Sequence, residues 1–271
     1  MDPIAKTAYY CCGARAADAE RPNPICGDHL AQRFMNAEAR AIFARFSGFK
    51  NPNASNVTRH RIIDDWLRER LSLNPDLRIV LLGAGFDTRA FRLRGGRWVE
   101  LDQPETIAVK EAELPTAQAP NALKRVAIDF AVESLANKLA PWKGESPAVV
   151  VMEGVNAYLS EPDRRRTLDI LVKTFPGHVL ICDLMSASFI RRYSGRMQRR
   201  IEELGGRFAE PADDPTRTFV EAGYRPLLHV SIIDRARELG AISLPRWLLN
   251  TLLRSLRDGY QAYIFEATRG S

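Results

Sequence analysis

The chain has 271 residues, enough for one large domain or two small ones with a substantial core. Hydrophobic residues make up 45% and charged residues 27%, and the longest apolar runs are strand-sized, which excludes a membrane-spanning helix. The net charge of +6, with a pI near 9.3, invites an acidic partner. Nucleic-acid binding would need that charge focused on one face among aromatics, so a spread surplus reads as a solubility feature.

Residues 1–72 read as a helical amino-terminal extension. One helix is expected over 28–46, with apolar residues from Leu30 to Phe46, and a second over 57–71, with Ile62, Ile63, Trp66, Leu67 and Leu71 on one stripe. Asn74-Pro75-Asp76 then breaks the chain. Beyond it, short apolar runs at 78–82, 98–101, 125–128, 148–152 and 178–182 alternate with helix-length connections, such as 161–175. Further strands are expected at 227–232 and 260–266. The alternation implies a doubly wound, Rossmann-like α/β sheet, parallel and covered on both faces. A single domain follows: a cofactor-binding core over 78–185, an insertion over 186–225 long enough to act as a lid, and closing strands and a helix over 226–268.

Cys11, Cys12, Cys26 and Cys182 show no C-x-x-C spacing, so they read as reduced structural thiols. His29, His60, His178 and His229 are scattered, which argues against a metal cluster. Residues 1–6 lack the layout of a secretory signal, so a cytoplasmic location is the expectation, and Gly270-Ser271 reads as a cloning remnant.

The chemistry gathers after the first strand. Gly83-Ala84-Gly85 permits a tight turn and lets backbone N–H groups approach a ligand. Alone this is a weak signal, shared with ordinary strand-to-helix turns. Asp102 lies 19 residues beyond Gly83, at the end of the second strand, where a carboxylate can take both hydroxyls of a ribose. The third glycine of a dinucleotide loop is replaced by Thr88, and Asp87 would repel a pyrophosphate. S-adenosylmethionine, which has no phosphate, is therefore favoured over a nicotinamide dinucleotide. At the next strand end, Asp129 could take an adenine amine and Phe130 could pack on its ring, although a plain strand-end cap has the same composition.

The segment 82–93 (LGAGFDTRAFRL) resembles the signature of the leucine carboxyl methyltransferase family, and within it the bacterial polyketide O-methyltransferase branch. Glu100-Leu-Asp102-Gln103-Pro104 with Lys110, the pair Asp129-Phe130, and Glu153-Gly154-Val-Asn-Ala-Tyr158-Leu159 continue the pattern in order. The resemblance implies a class I methyltransferase sheet using S-adenosylmethionine. Gly83, Ala84 and Gly85 would line its methionine portion, Asp102 and Gln103 its ribose, and Asp129 and Phe130 its adenine. Glu153 and Gly154 would sit near its amino group, Arg15 and Arg59 near its carboxylate, and Tyr158 would be the catalytic-site residue facing the methyl. No metal is implied. Departures at Asp28-His29 and at 9–12 (YYCC) fall beside the family's acceptor pocket.

The expected activity is O-methylation of a small secondary metabolite through a carboxylate or acidic hydroxyl, because no general base stands out and His60 reads as a packing residue. The alternative is methylation of a protein's C-terminal carboxylate. A cofactor-binding protein without catalysis and a dinucleotide oxidoreductase rank below both. Arg191, Arg192, Arg196, Arg199 and Arg200 read either as a solvated helix face or as a dock for an acidic acceptor.

Overall fold

The computed structural model describes residues 3–144 and 148–268, with side chains from Lys6 onward; Gly270-Ser271 lies outside it. The chain opens on α1 (Pro3–Ala19), a 3-10 turn (His29–Phe34), α2 (Ala37–Ala44) and α3 (Lys50–Leu73). The alternating part runs β1 (Arg78–Leu82), α4 (Arg89–Arg92), β2 (Arg97–Asp102), α5 (Pro104–Glu113), β3 (Ala122–Ala127) and α6 (Leu135–Leu139). It continues with β4 (Ala148–Met152), α7 (Glu161–Thr174) and β5 (Val179–Met185). Helices α8 (Ala187–Tyr193), α9 (Gly195–Glu202) and α10 (Arg217–Glu221) lead to β6 (Tyr224–Ser231). Helices α11 (Ile232–Glu238), α12 (Arg246–Asn250) and α13 (Arg254–Asp258) lead to β7 (Tyr260–Ala267).

The seven strands form one sheet in the order β3-β2-β1-β4-β5-β7-β6. The first five pair in parallel, as the alternation implies, but β7 inserts antiparallel between β5 and β6. Side chains along β1 alternate between two buried faces. Ile79 and Leu81 belong to one buried cluster with Ile63 and Leu67 of α3, while Val80 and Leu82 belong to another with Leu168 and Leu171 of α7. Burial on both faces explains why the strand reads as a continuous apolar run.

The helical extension departs from expectation. The single helix expected over 28–46 is split, because Asn36 adopts an extended conformation and its side chain accepts the Ala39 N–H at 2.9 Å, starting α2 afresh. Helix α3 begins at Lys50 rather than 57. It ends where expected, with Asn74 extended before Pro75. Between β5 and β6, the Ala209 N–H donates to Ala157 O at 2.8 Å and ties the insertion to the loop after β4.

Candidate functional site

Strand β1 lies between β2 and β4, so the chain leaves it toward one neighbour and returns on the other side. A crevice opens at the carboxyl ends of strands where the order reverses in this way. Here it is a cavity of about 240 Å³. Its floor is the turn after β1. The Gly83 and Ala84 N–H groups both donate to Leu101 O at 3.0 Å, pinning the turn to β2. Gly83 has φ +69, and a Cβ there would stand 2.5 Å from Val155 Cγ2. Both the conformation and the crowding require glycine.

Asp102 closes one end. Its Oδ2 accepts the Gly85 N–H at 2.6 Å and its Oδ1 accepts the Gln103 N–H at 2.8 Å. Burial pushes its carboxyl above the ordinary range, against those two bonds. Each oxygen has capacity for a second donor.

At the other end two arginines are held by acids. Arg15 of α1 bonds Asp28 Oδ2 through Nε at 2.9 Å and Phe86 O through Nη2 at 2.7 Å. Arg59 of α3 bonds Glu153 Oε1 through Nε at 3.1 Å, and Asp183 Oδ2 and the Tyr260 hydroxyl through Nη1 at 3.2 and 2.8 Å. Among the described residues, Arg15 Nη1 and Arg59 Nη2 donate to no protein atom. Gly154, at φ +71, leaves room for Arg59 Nη2, which would stand 3.1 Å from an added Cβ.

Glu153 faces Arg59, Arg89 Nη1 at 2.8 Å and His60 Nδ1 at 3.2 Å. Burial would raise its pKa, but Arg89, His60 and Arg59 hold it well below the usual carboxylate range. Tyr158 packs edge-on against Phe208, with ring centroids 5.3 Å apart, and burial raises its hydroxyl despite a hydrogen bond with Thr7. It stays protonated and is not a base.

Of the residues singled out from the sequence, Arg15, Arg59, Gly83, Ala84, Gly85, Asp102, Gln103, Phe130, Glu153, Gly154 and Tyr158 all line this cavity. Asp129 does not. Its Oδ1 accepts the Ala131 N–H at 2.9 Å in a local turn, and its own N–H donates to Glu133. Asp28 is also absent from the wall; it is fully buried, bonded to Arg15 and to the Thr88 hydroxyl.

Asp87, expected to repel a phosphate, lines the cavity, and it also pairs with the Arg89 guanidinium and accepts the Arg89 N–H at 2.7 Å. A pyrophosphate is also disfavoured by α4, four residues long, with a buried Thr88 where close helix packing would need glycine.

Sequence reading missed the ion network behind the cavity. Arg89 is fully buried and bonds Asp64 Oδ1 at 2.6 Å, Asp87, Glu153 and His60 O. The available signal was polar: His60 and Asp64 stand one turn apart on the same buried helix as Ile63 and Leu67. His60, Asp87 and Glu153 place ligand atoms within 4.8 Å of one another, a spacing that could hold a metal. Arg89 approaches all three, and Arg92 Nη2 stands 2.8 Å from His60 Nε2, so cations already occupy that role. Asp183 and Tyr260, which carry Arg59, were missed as well.

The sheet order and the crevice define a class I methyltransferase fold. A solved Thermobifida fusca structure, classed by inference as a methyltransferase, matches it with a TM-score of 0.60 over 94% of both chains at 15% identity, a likeness of fold alone. The chain belongs to the leucine carboxyl methyltransferase family, whose model matches residues 8–172. The tetracenomycin polyketide synthesis O-methyltransferase TcmP of Streptomyces glaucescens is 27% identical over 176 residues, 63% of this chain and 62% of that protein. A Mycolicibacterium gilvum protein, named by inference an S-adenosyl-L-methionine-dependent methyltransferase, is 32% identical over 204 residues, 68% of each chain. The match to TcmP thus spans less than two thirds of that relative's length.

Proposed function

We propose that this chain transfers the methyl group of S-adenosylmethionine to an oxygen of a small-molecule acceptor, a carboxylate or an acidic hydroxyl. The observation that carries the reading is the polarity of one cavity. Asp102 stands at one end with spare acceptor capacity, and Arg15 Nη1 and Arg59 Nη2 stand at the other with no acceptor among the described residues. Vicinal ribose hydroxyls fit the first and an amino-acid carboxylate fits the second. Glu153 suits the ammonium, and Phe130, a residue 42% exposed, suits a purine face. The name of TcmP supports an oxygen acceptor and a polyketide-like substrate class.

The cofactor supplies an electrophilic methyl on a sulfonium. The protein's own part is alignment and exclusion of water, because in-line displacement needs little else. Three candidate bases on the wall are held out of that role. Glu153 is triply engaged, Tyr158 is held protonated, and His60, lowered by burial and by Arg89, is pinned between Arg89 and Arg92. The acceptor therefore arrives ionised. Titration with S-adenosylhomocysteine tests the reading: one-to-one binding is expected, weakened at least tenfold in Asp102→Ala. A wild-type protein that does not bind it removes the proposal. A base-labile methyl product would mark an ester and a base-stable one an ether.

A further inference from the structure

Arg59 is a wall of the cavity, and the rest of the protein grips its guanidinium from behind. The group is planar and rigid, so bonds at Nε and Nη1 decide where Nη2 points. Glu153 Oε1 takes Nε at 3.1 Å, while Nη1 meets Asp183 Oδ2 at 3.2 Å and the Tyr260 hydroxyl at 2.8 Å. Nη2 is left without an acceptor among the described residues.

The Tyr260 contact has a single possible polarity. A guanidinium cannot accept, so the Tyr260 oxygen accepts from Nη1, and its one proton goes to Asp183 Oδ2 at 3.1 Å. The three groups close a ring of hydrogen bonds. Its shortest link to the arginine is the hydroxyl, because the Asp183 contact at 3.2 Å is long for a charge-assisted bond. Without that hydroxyl, Nη1 keeps only the longer bond, and the guanidinium plane is free to swing about its Glu153 contact.

The hydroxyl is itself placed from outside the cavity. Tyr260 opens β7, and its ring packs against Phe189 of α8 with centroids 5.4 Å apart. The Ser186 N–H donates to Gly259 O at 2.9 Å, which fastens the start of α8 beside the same residue. A Cβ at Gly259 would stand 2.6 Å from Phe189 Cβ, so the fit there is close. Asp183 is fixed in turn by the Gly154 N–H, which its Oδ1 accepts at 2.6 Å. Neither Asp183 nor Tyr260 is part of the cavity wall, so Tyr260 acts on a ligand there only through what it holds. Both also lie beyond residue 172, where the family match ends.

We propose that Tyr260 is a positioning residue for the cofactor's carboxylate, its hydroxyl aiming Arg59 Nη2 into the cavity. This deepens the methyltransferase reading and rests on its placing of that carboxylate at Arg59. The test compares two ligands by calorimetry: S-adenosylhomocysteine, and its decarboxylated analogue, which keeps the nucleoside, the sulfur and the ammonium. Tyr260→Phe removes one oxygen and keeps the ring against Phe189; Tyr260→Leu takes its place if the first variant does not fold. S-adenosylhomocysteine is expected to bind the variant at least fivefold more weakly than wild type, while the analogue stays within twofold. A purely structural role would weaken both ligands alike. Unchanged adenosylhomocysteine affinity, or an equal loss for the two ligands, overturns the positioning role. A wild-type protein that binds the analogue as tightly as adenosylhomocysteine also overturns it, and leaves the cofactor reading standing. A wild-type protein that binds neither removes that reading, and this role with it.

Discussion

At Gly83 the demands of backbone and neighbour coincide. An alanine there would hold φ at +69 against a left-handed penalty of about 1–2 kcal/mol, and its Cβ would overlap Val155 Cγ2 at 2.5 Å. Val155 lies on the loop that carries Glu153 and Gly154, so the displaced side chain moves the far wall of the cavity. Gly83→Ala is expected to lower the melting temperature by about 2–8 °C. It should also weaken S-adenosylhomocysteine at least tenfold by calorimetry; unchanged affinity would show that the turn does not touch the ligand. Gly83, Asp102 and Glu153 were legible because each follows an apolar strand run, so position along the chain fixes position on the sheet edge. Asp129 shares that signature and turns away, since an acid two residues before a free N–H makes a local turn of the same composition.

Among the elements, α3 and α4 are joined by charge as much as by packing. Arg89 lies at 0% exposure among Asp64, Asp87 and Glu153, so it links α3, the turn after β1 and the loop after β4. Removing one partner of a buried ionic cluster costs about 3–5 kcal/mol, because the remaining charges stay buried without compensation. Arg89→Met is expected to show a loss of that size in urea unfolding, and Arg89→Lys should recover little of it, since an ammonium cannot fork to three acids. A loss below about 1 kcal/mol would mean the carboxylates repair among themselves. Little of this was legible, because the sequence offers only His60 and Asp64 one turn apart among apolar residues and nothing that pairs them with Arg89. The arginines of α8 and α9 are exposed. Met197 and Ile201 are buried while Arg191 and Arg200 meet Asp213 and Glu203 at the surface. Double charge reversal at Arg196 and Arg199 is expected to leave the acceptor's KM within twofold in a methyl-transfer assay; a rise beyond tenfold would make the face a docking site.

Over the whole molecule, the five parallel strands followed from alternating runs and crossovers, whereas the place of β7 between β5 and β6 is a spatial order that no local pattern records. The split at Asn36 was hidden for a related reason: apolar spacing continues across a cap. The last consequence of this architecture is its response to acid. His178, at the foot of β5, is buried and neutral. Its Nδ1 donates to Phe175 O at 2.8 Å, and its Nε2 accepts from the Tyr224 hydroxyl at 3.0 Å. A proton on Nε2 would place a charge inside an apolar core, and burial accordingly lowers its pKa to about 4. His60 is also lowered, by burial and by Arg89. A histidine depressed in the native state leaves more protons on the unfolded chain, so its stability contribution is whole above pH 6.5 and is lost as pH falls toward the folded value. Asp28, Asp64 and Glu153, lowered too, lose theirs as pH falls through the unfolded carboxylate range, from about pH 5 downward. Between pH 6.5 and 5.5 the loss with acid therefore comes from the two histidines, each contributing up to about 1.4 kcal/mol per pH unit, while Asp102, raised by burial, works in the opposite direction as it takes up its proton. Urea unfolding across this window should show stability falling with acid, and His178→Gln, which keeps a donor and an acceptor but does not titrate, should remove up to half of that slope. An identical slope in the variant would mean that His178 is protonated in the folded protein.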